Sequence, residues 1–473
     1  MASLNDLKPT DAWSPAKNVE WNFKWAAHLY RRAAFGFPAT DGKTASQQLL
    51  DQAVKQGRDA CVEQLLAGGD GQEDFNDLMD TLGGQIAKYT APRFSPPEHE
   101  KLQGWWLYRM FHSPHPLLER CTLFWHNHFA TSIAKVGKSH LMFVQNNLLR
   151  QHALDKFQPL LSGISHDPAM LLWLDSNSNI KGRPNENYAR EIMELFSLGV
   201  GNYTETDIRE AARSFTGWGA AGGKFVFNKS LHDDGEKTVL GETGNFDGDD
   251  VVRIIMQQPA TARFLTRKLF REFVSEAQSP SDELLEPLAA QLRQTDFDIK
   301  ACVATILRSN VFYSEHAYRC RIKSPVDYVI GLTRSFNANV SMKRLAESMD
   351  GLGQTLFAPP NVKGWDGGRA WLNSASLLAR HNLAAKLVGG HDDEFPTVFH
   401  PQSLSKEQNP AEHVQELVRV LLQSDISDAA MQDLVDFASR PPKGKDQKER
   451  NTADKRLREL THTILLMPEY QLA

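Results

Sequence analysis

The amino-acid sequence predicts a mainly α protein, with a compact multi-helix fold and a small β-hairpin near residues 224–241. Two observations carry this prediction. Apolar residues recur at intervals of three and four positions with charges between them, as in helices that bury one face. The clearest exception alternates apolar and polar residues, which is typical of a strand. The helical segments span residues 155–161, 251–274, 284–308, 326–336, 375–388 and 411–422.

Polar residues mark the starts of some of these helices. Ser281 precedes two acidic residues and an apolar run, so we expect its hydroxyl to cap a helix there. Asp167 stands directly before a proline and another apolar run. A carboxylate at this position accepts hydrogen bonds from the first free backbone N–H groups. Asp167 is therefore predicted to cap a helix rather than to do chemistry.

The predicted hairpin is formed from two short extended segments. Residues 224–228 alternate, and residues 237–241 resume an extended pattern. Residues 232–235 between them include His232, two aspartates and a glycine, which favour a turn. We expect the two segments to pair and to carry a functional loop on which His232 and Lys237 contact an anionic group of a substrate.

Composition excludes some classes of function. The chain has 473 residues, of which 41% are hydrophobic and 23% charged, as in ordinary globular proteins. Its 53 basic and 58 acidic residues give a net charge of -5. This balance provides no general attraction to nucleic acid or to an anionic membrane, and no nucleic-acid partner is expected.

Cysteines and hydrophobic runs say little about special chemistry. The four cysteines are far apart and form no C-x-x-C pair, which predicts buried free thiols. No segment approaches the roughly twenty apolar residues that cross a bilayer. The first residues lack the basic and apolar regions of a secretory signal, so a cytoplasmic location is expected by default.

The first cluster of candidate site residues is Phe124-Trp125-His126-Asn127-His128-Phe129. On a strand the two imidazoles would point to the same side and could bind one metal ion. On a helix they diverge by about 200°. The preceding residues 117–125 are more helical than extended, so one imidazole is expected at a site and the other in a structural hydrogen bond.

The second cluster covers residues 184–195, which form the glutamate helix. Asn185 can cap this helix after Pro184. At about 100° per residue, Glu191 and Glu194 fall on one face. Arg190 follows Glu186 by four positions and precedes Glu194 by four, so a solvated ladder of ion pairs is the alternative interpretation.

Together the two clusters predict a metal site. Its ligands would be His126, His128, Glu191 and Glu194. Zinc or iron suits imidazole and carboxylate ligands, whereas an oxygen-only set suits magnesium or calcium. The Glu-x-x-His pattern of ferritin-like dinuclear sites is absent.

Further polar residues complete the predicted site. Glu186 and Asp175 are candidates for proton transfer, Asp175 because a loop of turn-forming residues follows it. Trp218, Trp365 and Trp371 could provide flat surfaces for sugar rings. The predicted substrate-binding residues are Asn185, Asn187, Arg190, His232, Lys237 and Trp365.

A series of motifs occurs in order along the chain, at residues 31–36, 124–129, 185–195, 199–205, 215–218, 232–237, 323–326, 359–365 and 468–471. Together these motifs resemble the bacterial family known as domain of unknown function 1800. The resemblance implies a largely helical protein of environmental bacteria and a single family-length unit over residues 1–473. Within this unit, residues 1–200 and 250–473 are expected as helical subdomains joined by the loop and hairpin region 201–249.

The resemblance also bears on partner and location. Genes of the family often lie beside those of a second family that looks like alkaline phosphatases and sulfatases, which implies a partner of that kind. Many members carry export signals, and the start of this chain departs from that pattern. The resemblance supplies no reaction.

Two functions of different classes follow. The first is a metal-assisted hydrolase of a polar polymer such as a polysaccharide, in which the metal ion lowers the pKa of bound water. The second is a non-catalytic accessory or binding subunit of the phosphatase- or sulfatase-like partner. A glycosidase that uses two carboxyl groups about 5 to 9.5 Å apart, without metal, is a third alternative.

Overall fold

The computed structural model describes residues 3–36, 46–88, 98–336, 340–389, 409–440 and 448–473. Helices make up most of these residues, and their β structure is limited to two antiparallel pairs of short strands. The predicted mainly α fold with a small β region is therefore confirmed. None of the helices in these ranges has the length and apolar character that crossing a bilayer requires.

Local sequence explains where the helices of the first half begin. Proline occupies the first position of the helix that starts at Pro116, where its missing N–H is not needed. Asp167 accepts from the backbone N–H of Met170 at 2.8 Å, so its predicted capping role is confirmed. In the described part of the first half, the helices are α1 (Pro9–Trp13), α2 (Phe23–Ala33), α3 (Ser46–Gln56), α4 (Arg58–Ala67), α5 (Gln72–Lys88), α6 (Glu98–His112), α7 (Pro116–His128), α8 (Ile133–Val136), α9 (Ser139–Gln151), α10 (Phe157–Ser165), α11 (Pro168–Trp173), α12 (Asn187–Glu194) and α13 (Glu205–Ser214).

Two long predicted helices of the second half are each divided in two. Segment 251–274 breaks because Pro259 cannot continue a helix but can start one. Segment 284–308 breaks before Asp298, which caps the next helix through the N–H of Ala301. Ser281 caps as predicted. In the described residues these helices are α14 (Gly248–Gln257), α15 (Pro259–Phe273), α16 (Asp282–Gln294), α17 (Ile299–Arg308), α18 (Pro325–Ser335), α19 (Met342–Leu352), α20 (Ser374–Gly389), α21 (Pro410–Leu422), α22 (Asp428–Ser439), α23 (Lys448–Leu466) and α24 (Pro468–Gln471).

The strands form two separate hairpins, and the predicted pairing between residues 224–228 and 237–241 is wrong. Strand β1 (Trp218–Ala221) pairs with β2 (Lys224–Phe227), and β3 (Lys237–Val239) pairs with β4 (Glu242–Gly244). Gly222 and Gly223 form the first turn, both with positive φ. Two consecutive residues of that kind make the tight turn that suits a two-residue hairpin, so each strand pairs with its nearest neighbour in sequence.

The core contains charged as well as apolar side chains. Buried apolar residues from Leu4 to Tyr470 form one continuous cluster. Inside it, the carboxylate of Glu119 accepts from Arg109 at 2.6 Å and from Arg150 at 2.7 Å. Burial would raise the pKa of Glu119, but the two guanidinium groups hold it at about 2. The four cysteines have free thiols and three of them are buried, as predicted.

Candidate functional site

Three consecutive polar side chains at the end of α7 each bind the backbone of a different distant segment. The Nε2 atom of His126 accepts from the N–H of Phe357 at 3.2 Å. Asn127 accepts from the N–H of Trp365 at 2.7 Å. The Nε2 atom of His128 donates to the carbonyl of Phe196 at 2.9 Å. The segment is helical, as expected, and its two imidazoles point to different neighbours.

His126 is a neutral histidine of the core. Its side chain is buried among aromatic rings, including those of Trp106 and Phe357. Burial lowers the pKa of His126 to about 3, because its charged form would lose its hydration.

His128 is also buried, but it retains an unused nitrogen. Because Nε2 donates to the carbonyl of Phe196, Nδ1 carries the lone pair. Among the residues that the structure describes, Nδ1 has no hydrogen-bond partner. Burial, with a contribution from the charge of Lys268, holds the pKa of His128 well below its usual range. His128 is therefore neutral at neutral pH, and its unpaired Nδ1 atom is buried.

The glutamate helix is α12. Asn185 accepts from the N–H of Asn187 at 2.9 Å, but the capping position of the helix is Glu186, whose side chain makes no capping bond, so the predicted Asn185 cap is wrong. Glu191 and Glu194 share a face. Burial and then the charge of Glu194 raise the pKa of Glu191. Glu194 accepts from the hydroxyl of Tyr203 at 2.5 Å, whereas the carboxylate of Glu191 makes no hydrogen bond or ion pair within the described ranges.

The two predicted proton-transfer residues are held in ion pairs near the surface. Arg190 pairs with Glu186 at 3.2 Å and with Glu205 of α13 at 2.7 Å. It thus forms one half of the predicted ladder and joins α12 to α13 instead of reaching Glu194. Asp175 pairs with Lys135 at 2.8 Å, and both side chains are about half exposed.

The structure does not bring the predicted metal ligands together. In the described parts of the chain, no three histidine, cysteine, aspartate or glutamate side chains are grouped so that they could hold a metal ion. His126 and His128 bind separate backbone segments, and Glu194 binds a tyrosine hydroxyl. Helical divergence separates the imidazoles, as the spacing indicated. The residues present do not fit the predicted group, and no chemical step is derived through it.

Most predicted substrate-binding residues serve the fold. Buried His232 bonds to the carbonyl of Thr216 at 2.9 Å, and buried Lys237 donates to that of Phe246 at 2.7 Å. Neither is free on a surface loop to contact an anion, because each satisfies a backbone carbonyl inside the fold. The side chain of Asn185 is engaged in the turn before α12, while Asn187 is exposed.

A polar cavity, called here the charged cleft, contains two of the residues that the sequence singled out, His128 and Trp365. Its volume is about 130 Å³. One water molecule needs roughly 10 to 15 Å³ by the same measure, so the cleft has room for a small organic molecule. The lining residues are Arg120, Leu123, Phe124, Asn127, His128, Lys268, Arg271, Glu272, Glu276, Arg321, Ser324, Gln354, Lys363, Trp365, Asp366, Gly367 and Trp371.

The charges of the cleft are not balanced. Five cationic side chains face three carboxylates. Arg120 pairs with Asp327 and with Glu272 at 3.4 Å, and Glu272 also pairs with Arg321 at 3.2 Å. Lys363 pairs with a neighbouring acid of its own loop. Two cationic side chains of the cleft, both on α15, have no carboxylate partner among the described residues.

These two cations are Lys268 and Arg271, which lie three positions apart and so on one side of α15. With the residues that the structure describes, neither makes an ion pair. The ammonium of Lys268 lies 5.3 Å from the ring centroid of Phe264. Burial, with the charges of Arg271 and Lys363, lowers the pKa of Lys268 to about 8. Arg271 donates to the carbonyl of Asp366.

Two tryptophans also line the cleft. Trp365 and Trp371 line the cleft with 8% and 7% of their surface exposed. The loop before Trp365 lies against α7 because Gly364 has a φ of +85° and no side chain. A Cβ atom there would collide with the carbonyl and the side-chain oxygen of Asn127.

Sequence reasoning missed Lys268 and Arg271. It assigned their segment to an ordinary amphipathic helix, and basic residues on such a helix are usually solvated. The available signal was weak: two cations three positions apart, with no acidic residue between them. Only the packing of α15 against α7 and the loop around Trp365 turns them toward a cavity.

The sequence was compared with known proteins and families. The model of the family described as "Protein of unknown function (DUF1800)" matches residues 28–472. No curated protein matches the chain, and no solved structure does. The family match includes the end of α7, the glutamate helix and the loop around Trp365. Since it covers nearly the whole sequence, the chain belongs to the DUF1800 family.

Proposed function

We propose that the protein binds an anionic ligand in the charged cleft, as a binding or accessory protein. One observation carries the proposal. Two cations without acidic partners among the described residues, Lys268 and Arg271, line the same cavity. An anionic ligand that pairs with them supplies the missing counter-charge.

The charge argument favours an anion. Lys268 is mostly protonated at neutral pH even with its pKa at about 8. A half-buried ammonium without a carboxylate is unfavourable, and burial already lowers its pKa for that reason. A carboxylate or another oxyanion placed between Lys268 and Arg271 would compensate this cost.

Calorimetric titration with galacturonate, using galactose as the uncharged comparison, tests the proposal. We expect galacturonate to bind and galactose to bind at least about tenfold more weakly, since an ion pair in a partly buried site is lost. Lys268→Met should abolish galacturonate binding. Lys229→Met, an exposed lysine outside the cleft, is the matched control and should bind normally. If galacturonate bound equally to the unaltered protein, Lys268→Met and Lys229→Met, the proposal would be refuted.

A hydrolase is the second candidate, and the lowered pKa of Lys268 favours it. A lysine whose pKa is near 8 can accept a proton at an accessible pH, as a general base must. Hydrolysis of a glycoside of a sugar acid should then increase as pH rises through about 8. This increase should be lost in Lys268→Met. If the rate of hydrolysis changed neither with pH nor in Lys268→Met, this role for Lys268 would be excluded.

The metal-assisted form of the hydrolase, the phosphatase- or sulfatase-like partner and the cytoplasmic location remain proposals from the sequence. Metal analysis of the purified protein, compared with His126→Ala and Glu191→Ala, tests the first. Stoichiometric metal that is lost in both variants would support a shared site, and metal content that is unchanged in both would refute it.

A further inference from the structure

The amine of Lys268 faces the charged cleft without a bond to the protein. Its side chain is partly exposed and lines the cleft. The ammonium makes no hydrogen bond or ion pair with the residues that the structure describes, and it lies 5.3 Å from the ring centroid of Phe264. A lysine that holds a fold together donates to a carbonyl or a carboxylate, as Lys237 does. Lys268 lacks such a bond, so its amine is available to a molecule in the cleft.

The surroundings of Lys268 favour the neutral form of the amine. Partial burial and the nearby positive charges of Arg271 and Lys363 lower the pKa of Lys268 to about 8. The carboxylates of Glu272 and Glu276 line the same cleft but are bonded to other groups. An amine attacks an electrophile only after it has lost its proton, and nucleophilic lysines are therefore found beside other cations or in desolvated places.

We propose that Lys268 is a nucleophile that forms an imine with the carbonyl group of a small oxo acid bound in the charged cleft. This inference rests on the proposed function, because Arg271 would hold the anionic group of the same ligand. Arg271 lies three positions from Lys268, a helix rise of about 4.5 Å, and both line the cleft. In a 2-oxo acid the carbonyl carbon is bonded directly to the carboxylate carbon. Such a ligand can engage both side chains at once.

The two side chains suit these two tasks. Arg271 stays charged at any accessible pH, and a guanidinium binds a carboxylate through two parallel hydrogen bonds. The neutral amine of Lys268 adds to the carbonyl carbon, a C–N bond forms, and one proton moves from nitrogen to the carbonyl oxygen. The C–O bond then breaks, and the oxygen leaves as water with the second proton of the amine. The product is a C=N bond, and the step needs no oxidant or reductant.

Lys363 provides a comparison within the same cleft. Its ammonium pairs with Asp366 at 2.6 Å, and 68% of the side chain is exposed. A carboxylate in contact stabilises the charged form of a lysine, and water does the same. Lys363 should therefore react much more slowly than Lys268, although both line the cleft.

Reductive trapping with pyruvate and sodium cyanoborohydride, followed by peptide mass mapping, tests the inference at about pH 7. Cyanoborohydride reduces an imine to a stable secondary amine, which marks the lysine that formed it. Lys268 should be labelled at least about tenfold faster than Lys363 or Lys229, an exposed lysine outside the cleft, because an ordinary lysine has a pKa of about 10.4. In Lys268→Arg the first equivalent of label should be lost from the intact mass.

Acetaldehyde, which has a carbonyl but no carboxylate, tests the role of Arg271. In the unaltered protein, pyruvate should label Lys268 faster than acetaldehyde does, relative to the labelling of Lys229 by each compound. Arg271→Gln should reduce this preference at least about tenfold, because the charged partner of the carboxylate is lost. Thermal unfolding of each variant verifies that it is folded.

The outcomes separate the inference from the proposed function. If galacturonate binds in the cleft but pyruvate labels Lys268 no faster than Lys229, the nucleophile is refuted while the cleft stands. If acetaldehyde labels Lys268 selectively, and pyruvate shows no preference that depends on Arg271, the assignment to an oxo acid is overturned. If in addition neither galacturonate nor pyruvate binds in titrations, the proposed function fails as well.

Discussion

The side-chain amide of Asn127 binds both backbone groups of Trp365. Its Oδ1 accepts from the N–H at 2.7 Å, and its Nδ2 donates to the carbonyl at 3.4 Å. The same arrangement occurs between Asn177 and Ala220, at 2.7 and 3.2 Å. The same pair of hydrogen bonds thus holds the loop at Trp365 and strand β1, and of these two Trp365 lines the charged cleft.

Replacing each asparagine by alanine separates stability from binding. Asn127→Ala should lower the free energy of unfolding by about 1 to 3 kcal/mol, because the N–H and carbonyl of Trp365 lose their partner in a partly buried place. It should also weaken galacturonate binding, since the loop is released. Asn177→Ala should cost less, because that side chain is exposed, and should leave binding unchanged. Urea unfolding measures the change in stability, and calorimetric titration measures the change in affinity for galacturonate. If Asn177→Ala weakened binding as much as Asn127→Ala, the local role of Asn127 would be contradicted.

Gly364→Ala should destabilise the protein by more than the change in backbone conformation alone. The φ of +85° costs an alanine about 1 kcal/mol or more, and the new methyl group would also collide with Asn127. Gly353→Ala is the matched control, because its φ is +93° and nothing lies within 4 Å of its added Cβ. Equal losses of unfolding free energy in the two variants would show that the loop around Gly364 shifts to accommodate the methyl group at no cost in free energy.

Anion binding should weaken as pH rises through about 8. In the folded protein Lys268 loses its proton there, because burial lowers its pKa. Lys268→Arg should extend binding to higher pH, since a guanidinium stays charged. Stability should change in the opposite direction. The unfolded chain keeps this proton up to about pH 10.4, so the folded state gains stability between about pH 8 and that value. Affinity that stays constant up to pH 10.4 would exclude Lys268 as the ligand's partner.

Asp167→Asn should stabilise the protein above neutral pH. Burial raises the pKa of Asp167 to about 7, against about 3.9 in an unfolded chain. Its contribution to stability is fully present below about pH 3.9 and is lost as pH rises to about 7, because only the folded state still binds the proton in that range.

Asparagine caps a helix as well as aspartate does and carries no charge. We therefore expect Asp167→Asn to gain about 1 to 3 kcal/mol in urea unfolding at about pH 8, and little at about pH 4. Asp298→Asn, at a cap on α17 whose aspartate keeps part of its surface exposed, is the control for the substitution itself, and it should gain less stability at about pH 8 than Asp167→Asn. A gain that is the same at both pH values would contradict the burial argument.

Local rules predicted the helical class and two of the caps, and they failed where competing local signals were overlooked. Ser281 and Asp167 cap as expected because a cap depends only on the next three residues. The turn at Gly222 and Gly223 was also a local signal, but the alternation of residues 224–228 was matched to a segment farther along the chain. Pro259 likewise marked a helix start inside a segment that was treated as continuous.

The site was harder to predict because it depends on packing between distant elements. The sequence predicted that one imidazole of the first cluster would make a structural bond, whereas both His126 and His128 bind backbone groups. It also placed Trp365 at a site, and Trp365 lines the cleft. The sequence could not show that His128 of α7 and Lys268 of α15 line the same cavity, because no pattern within either helix determines how the two helices pack.

The end of α7 also sets an order for biosynthesis. His126, Asn127 and His128 leave the ribosome well before the segments they bind, which lie 231, 238 and 68 positions later. Until Trp365 has been made, His126 and Asn127 lack their backbone partners, and the cleft lacks both of its tryptophans. The nascent chain thus leaves this end of the helix uncovered until that segment has been synthesised, and the cavity forms only afterwards.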